Sequence, residues 1–212
     1  MTPDFSTPDP SAPEQLERYN ETAQAAAAAV IGRYSTSFSA ATNLLGKRCR
    51  TPIRNVYALV RVADEIVDGV AAAAGVDAAG QRTELDALET ETLQAMQTGF
   101  SSNLVVHAFA HTARACGIDE DVVRPFFASM RMDISAIQDG ELALDSAEHE
   151  LYVYGSAQVV GLMCVRVFSR YGMSRRPNAA TAALLDDAGK ALGSAFQNVN
   201  FLRDLADDTD RL

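Results

Sequence analysis

The stretches Asp64-Glu65-Ile66-Val67-Asp68 and Asn200-Phe201-Leu202-Arg203-Asp204-Leu205-Ala206-Asp207-Asp208 decide how this chain is read. Each sets aspartates four residues apart, Asp64 with Asp68 and Asp204 with Asp208, in sequence of helical apolar spacing. Residues i and i+4 of a helix lie one turn apart on the same side. Two such helices facing each other would gather four carboxylates, an oxygen-rich set suited to hard divalent cations and, through them, to a diphosphate.

Outward from those segments the chain reads as helix. From Glu14 onward it is rich in Ala, Leu, Glu and Gln and poor in β-branched alternation, so the expected fold class is all-α. Helices are expected near 15–32, 35–45, 52–70, 81–97, 101–115, 119–138, 147–170 and 178–207, with breaks at Gly46, Gly99, Gly117, Gly140 and from Gly172 to Pro177. Thr51 as cap and Pro52 at the first helical position predict where the third helix opens. The weakly patterned run Ala71–Gly80 is open to two readings, a helix extension or a loop. Residues 1–13, with Pro3, Pro8, Pro10 and Pro13 among small polar residues, are expected to form a disordered leader, leaving 14–212 as a single helical domain.

Bulk composition narrows the partners. A net charge of −10 argues against nucleic acid and against attraction to anionic lipid, since both need a basic surface. An anionic substrate would therefore depend on locally placed Arg, Lys or metal ions. Cys49, Cys116 and Cys164 are odd in number and widely spaced, which indicates neither a disulfide framework nor a thiolate zinc site and suits a reducing cytoplasm. No apolar run in the sequence approaches the roughly 20 residues of a membrane span, and the first residues lack a basic secretion signal.

On a wheel of about 100° per residue, Arg54, Tyr57, Arg61, Asp64, Glu65 and Asp68 share one stripe, and apolar residues fill most of the remaining circumference. That helix should be packed on several sides with its charged stripe on a cavity. An ordinary amphipathic helix, with Arg61 pairing Asp64 or Glu65 in water, explains the same stripe equally well. In the second segment Leu192, Ala195, Val199, Leu202 and Ala206 gather on one side, and Gln197, Asn200, Asp204 and Asp208 on the other. Amides followed by carboxylates are oxygen donors; a solvated helix end is the plainer alternative.

Taken together and in order, the motifs resemble the squalene and phytoene synthase family of head-to-head prenyl synthases, in wording nearest its bacterial phytoene synthases. Tyr34-Ser35-Thr36-Ser37-Phe38 is similar to the family's early Ser-x-Ser-Phe element. Tyr57 through Asp68 resembles the first aspartate-rich motif, Tyr152 through Gly161 the central tyrosine and glycine helix, and Gln197 through Asp208 the second aspartate-rich motif. The resemblance implies an isoprenoid-synthase-type helical bundle around a central cavity. It implies Mg²⁺, with Mn²⁺ as a substitute, held by Asp64, Asp68, Asn200, Asp204 and Asp208. It further implies diphosphate bound by Ser35, Ser37, Arg54 and Arg61 with Tyr57 and Gln197 nearby, and Tyr152 beside the reacting carbons. Asp133 is a weaker candidate for an additional acidic group.

The implied reaction joins two geranylgeranyl diphosphates through a cyclopropyl diphosphate into phytoene without nicotinamide. Farnesyl donors giving squalene or dehydrosqualene, terpene cyclisation, and a non-catalytic scaffold are the alternatives. A lipophilic product implies peripheral membrane contact for an otherwise cytoplasmic protein. The family continues through further helices after the second motif, so the chain ending at Leu212 is expected to be incomplete there.

Three smaller features remain. His107 and His111 have the i, i+4 spacing of two ligands of one metal, but no third ligand is evident, and a packing or surface role is the reading preferred. Met130, Met132 and Met163 read as core fillers. Gly155 and Gly161 suit either close helix approach or the shaping of a cavity.

Overall fold

The computed structural model describes residues 11–139 and 145–209, apart from the side chains of 136–139 and 202–209. The helices run in the order α1 (Ala12–Tyr34), α2 (Thr36–Leu44), α3 (Lys47–Val67), α4 (Val70–Ala73), α5 (Ala78–Thr98), α6 (Leu104–Cys116), α7 (Glu120–Asp139), α8 (Ser146–Val153), α9 (Val159–Val167) and α10 (Ala179–Thr209). No strand occurs among the described residues, as the composition requires.

Central position belongs to α3, which touches α1, α5, α6, α7 and α9. Its apolar circumference explains this: Ile53, Val56, Leu59, Ala63 and Val67 are all buried in one core with Phe109, Phe126, Phe127 and Met163. Two polar side chains that enter the core donate to partners there. Asn55 donates to Thr112 Oγ1 at 2.9 Å, and Gln81 donates to the Val67 carbonyl at 2.8 Å.

Local signals set most helix ends. Gly99 and Gly117 follow α5 and α6 at φ of 83° and 73°, the left-handed conformation that side chains resist. Asn103 caps α6 through Val105 N and Val106 N, and Asp145 with Glu148 forms a complete capping box on α8. Each such cap contributes about 1 kcal/mol. Of the expected leader, residues 1–10 lie outside the described residues, while Ala12 and Pro13 belong to the first turn of α1, where proline's missing N–H costs nothing. The expected break at Gly140 also lies outside them.

One expected boundary is corrected, and the run left open is resolved. The third helix opens at Lys47 behind Gly46, so Pro52 sits inside it rather than at its start. Burial of Cys49, and Arg50 donating to the Asn43 and Leu45 carbonyls at the end of α2, hold the extra turn in place. The open run after Val70 resolves into the short α4 and a turn before Asp77, which caps α5.

From Ser146 to Gly172 the chain is continuously helical, because π-helical segments at Tyr154–Gln158 and Phe168–Gly172 join and extend α8 and α9. By length and composition alone this 27-residue helix could cross a bilayer, contrary to the sequence reading. Here it is wedged between α7 and α10. Glycines permit that fit: a Cβ on Gly155 would strike the Pro125 carbonyl and lie 2.8 Å from Ser129 Cβ, and one on Gly161 would strike the Gly189 carbonyl. Of the two readings left open for these glycines, close approach is the one observed.

His107 is a core residue. Its Nε2 lies 2.8 Å from Asn20 Oδ1, and its Nδ1 accepts from Ser101 N at 3.3 Å, so both nitrogens are engaged by protein, whereas His111 is exposed. Burial, then the neighbouring His111, lowers the His107 pKa below the ordinary 6.5. The folded state therefore holds the ring neutral while the unfolded chain takes up a proton. The stability tied to that neutral ring is present above the unfolded pKa and is lost as pH falls from about 6.5 toward the lower folded value. Thermal melts are expected to show the midpoint dropping over that window, and H107Q is expected to flatten the drop.

Candidate active site

The charged stripe of α3 faces partly open space, and α2 folds over its early half. Ser35 ends α1 in extended backbone, and its hydroxyl accepts from Phe38 N at 3.1 Å, capping α2. Ser35 Oγ and Ser37 Oγ stand 3.5 Å apart. The flanking aromatics fix this turn against α3: the Arg61 guanidinium lies 4.8 Å from the Tyr34 ring centroid, and the Phe38 and Tyr57 rings are 5.4 Å apart. The two serines, Tyr57 and Arg61 are thus brought to one locality by the turn between α1 and α2.

Arg54 donates to Asn43 Oδ1 at 3.0 Å, and its Nε is buried without a partner among the described residues, as are the Nε atoms of Arg50 and Arg61. Arg61 pairs with both Asp64 and Glu65. The plainer reading of the stripe foresaw this pairing, but the groups are half-buried rather than in open water. Glu65 has a second, structural role: its other oxygen accepts from Val70 N at 3.0 Å and ties α4 to the end of α3.

Asp68 ends α3, and both its carboxylate and that of Asp64 are held above the usual range. For Asp64 the causes are burial and then the charge of Asp68, opposed by Arg61; for Asp68 they are burial, opposed by Arg61, and the charge of Glu65. Asp133 on α7 joins them. Burial pushes its carboxyl up to about 6, against the Tyr152 hydrogen bond, and the charges of Asp68 and Asp64 add to the shift. Tyr152 is raised by burial, by Asp133 and by the same two aspartates. Three carboxyls and a phenol from α3, α7 and α8 therefore form one electrostatic unit. Asp133, the weaker candidate in sequence, is a full member of it; only the fold could show that α7 passes this point.

Tyr152 also connects to the second motif. Its ring lies 6.1 Å from that of Phe201, which is 5.7 Å from His149. Since α10 runs unbroken to Thr209, the backbone carrying Asp204 and Asp208 continues directly from this contact. The side chains of Asp204 and Asp208 lie outside the described residues, so their expected meeting with Asp64 and Asp68 does too.

In α10 the polar side is the one that packs inward. Gly193, Ser194, Gln197, Asn200 and Phe201 are at least partly covered, with Gln158 donating to Ser194 Oγ at 2.9 Å, while Leu192, Phe196 and Val199 are 60%, 63% and 61% exposed. The glycine seam explains the choice of side, because only the small-residue side admits the helix close to α8 and α9. Oxygen and nitrogen donors consequently face inward beside Tyr152.

Comparison with known proteins now bears on this arrangement. A family model described as Squalene/phytoene synthase matches residues 31–212, from the last turn of α1 onward. The chain belongs to the squalene/phytoene synthase family. Phytoene synthase 1, chloroplastic, of Solanum lycopersicum is 30% identical over 182 residues, covering 86% of this chain and 41% of its own. The 15-cis-phytoene synthase of Paracoccus sp. is 30% identical over 179 residues, covering 84% and 54%. The chain thus spans about half the length of these curated relatives. Among solved structures, a dehydrosqualene synthase in complex with ligand matches with a TM-score of 0.71 at 23% identity, covering 92% of this chain and 61% of that one. That similarity establishes the all-α isoprenoid synthase fold for this squalene/phytoene synthase family member.

As a place for a divalent cation, the described part of the site has the right chemistry and an incomplete set. Its donors are carboxylate oxygens, as hard cations require, and the raised carboxyls of Asp64 and Asp68 mark charge in need of compensation. Among the described residues no three acidic, histidine or cysteine groups converge as a metal-binding set.

Proposed function

We propose that this chain carries the diphosphate-binding and ionising part of a head-to-head prenyl synthase that joins two geranylgeranyl diphosphates into phytoene. The observation that supports it most is the electrostatic unit of Asp64, Asp68, Asp133 and Tyr152 beside Arg61, whose Nε is buried without a partner among the described residues. Asp64 and Asp68, with Asn200, Asp204 and Asp208, would hold Mg²⁺, or Mn²⁺ in its place. Bound there, the ion would supply Lewis-acid stabilisation of charge on the departing diphosphate. Arg61 and Arg54 would bind diphosphate oxygens by forked donation, and Ser35 and Ser37 by hydroxyl donation. Tyr57 and Gln197 would border the same group. Tyr152, kept protonated by its raised pKa, would stand beside the reacting carbons without competing as a base.

The first condensation forms a cyclopropyl diphosphate and releases one diphosphate and a proton. Loss of the second diphosphate, rearrangement and loss of another proton give a C40 hydrocarbon, and no reductant is consumed. Apolar surroundings serve this chemistry by keeping water from the carbocation.

Incubation with geranylgeranyl diphosphate or farnesyl diphosphate and Mg²⁺, without nicotinamide, followed by mass analysis of the hydrocarbon, tests the proposal. A C40 product from the longer donor is expected. A C30 product instead would assign farnesyl chemistry, and the absence of any Mg²⁺-dependent binding of a diphosphate analogue would assign a scaffold.

A further inference from the structure

The arginines of α3 are held in two different ways. Arg61 has carboxylates on both sides, Asp64 and Glu65, whereas Arg50 and Arg54 enter no ion pair among the described residues. What holds Arg50 and Arg54 is uncharged, and one residue in the last turn of α2 serves both. Arg50 Nη2 donates to the backbone carbonyl of Asn43 at 2.7 Å and to that of Leu45 at 3.2 Å. Arg54 Nη2 donates to the side-chain oxygen of Asn43 at 3.0 Å. Asn43 is itself exposed, and its neighbour Thr42 is the residue that buries α2 against the bundle.

These attachments separate the scaffold from the side chain. Backbone carbonyls and Thr42 fasten α2 to its neighbours whatever side chain stands at position 43. The Asn43 amide does one further thing, which is to fix the guanidinium of Arg54 while leaving its remaining donors uncommitted to it. Being neutral, it accepts the hydrogen bond without supplying a counter-charge. A carboxylate of the same shape would form an ion pair there and cancel the positive charge of Arg54. On a chain of net charge −10 an anion can be attracted only by cations left uncompensated, and Arg54 shares the α3 stripe with Tyr57 and Arg61.

We propose that Asn43 is a positioning residue for the diphosphate of the substrate: it presents Arg54 in a fixed orientation with its charge uncancelled. Arg54 then gives the stripe the net positive charge that Arg61, between two carboxylates, does not supply. A guanidinium already held in one orientation loses less conformational freedom when an anion arrives, so its hydrogen bonds contribute more to affinity. The inference rests on the reading of the α3 stripe as a diphosphate site and adds to it a residue of α2 that touches no substrate.

Isothermal titration of the full chain with geranylgeranyl thiodiphosphate and Mg²⁺, at several salt concentrations, tests it. N43D keeps the shape and pairs Arg54. It is expected to weaken binding by at least about tenfold, as for loss of a hydrogen bond to a charged group, and to flatten the salt dependence. Its thermal midpoint should stay close to the parent's, the new ion pair offsetting an unfavourable charge at the end of α2. N43A releases Arg54 but keeps its charge, so binding should weaken severalfold with the parent's salt dependence. In the R54A background N43A is expected to have no further effect, because Asn43 acts through Arg54. A merely structural role predicts the reverse: a lowered midpoint for N43A and a loss of binding that persists in N43A/R54A. Either that additivity, or parent affinity and salt dependence in N43D, would overturn the inference while leaving the diphosphate site standing. Absence of Mg²⁺-dependent binding by the parent itself would remove the diphosphate reading and the inference with it.

Discussion

Replacing Asp64 by asparagine is expected to weaken Mg²⁺-dependent binding of a prenyl thiodiphosphate analogue by at least about 100-fold, since even an outer-shell partner of a metal site is worth about 10- to 100-fold. The same substitution is expected to leave the protein as stable as the parent or slightly more so. Burial and the charge of Asp68 raise the folded pKa of Asp64 above the unfolded value, so its ionisation is less favourable in the fold. That cost is incurred as pH rises from the unfolded pKa through the folded one, and is complete at pH 7. Arg61 retains Glu65 as a partner, so D64N removes repulsion without stranding a cation. Isothermal titration and thermal melts at pH 7 read the two effects separately. Undiminished analogue binding by D64N would remove Asp64 from the site, whereas a large loss of stability would make its role structural.

The second large effect concerns the seam between α9 and α10. Gly161→Ala is expected to cost about 3 kcal/mol or more, because its methyl would meet the Gly189 carbonyl, a backbone atom that cannot rotate aside. Against a total stability of roughly 5–15 kcal/mol this is a large fraction. The loss should be read first as separation of α10 from the bundle, breaking the Gln158 to Ser194 hydrogen bond and the Tyr152 to Phe201 contact. Gly32→Ala in α1 supplies the control. Nothing lies within 4 Å of its added Cβ, and φ there is not positive, so helix propensity alone should stabilise by about 0.5–1 kcal/mol. Denaturant titrations of the two variants should move in opposite directions; equal shifts would mean that the seam is not as tight as the backbone indicates.

Helical periodicity and glycine punctuation made the bundle legible, because both act within a few residues and the chain obeys them at Gly99 and Gly117. The start of α3 was illegible for a definite reason: Thr51-Pro52 is a good local opening, but burial of Cys49 and the reach of Arg50 to α2 outweigh it. In the site, the α3 stripe was visible because one helix carries it. Asp133 could be promoted only by knowing that α7 runs beside Tyr152, a relation between residues 19 apart that no period encodes. Which side of α10 packs inward was left open for a similar reason. Periodicity separates its two sides without saying which is buried, and the glycines that decide the matter act through backbone proximity to another helix.

The outward apolar side of α10 bears on how the protein behaves at the bench. With Leu184, Leu192, Phe196 and Val199 all at least 60% exposed along one ridge, the molecule carries a greasy keel. Such a keel is a ready seat for detergent tails or for a neighbouring copy, so concentrated stocks will behave less like a monodisperse solute than dilute ones.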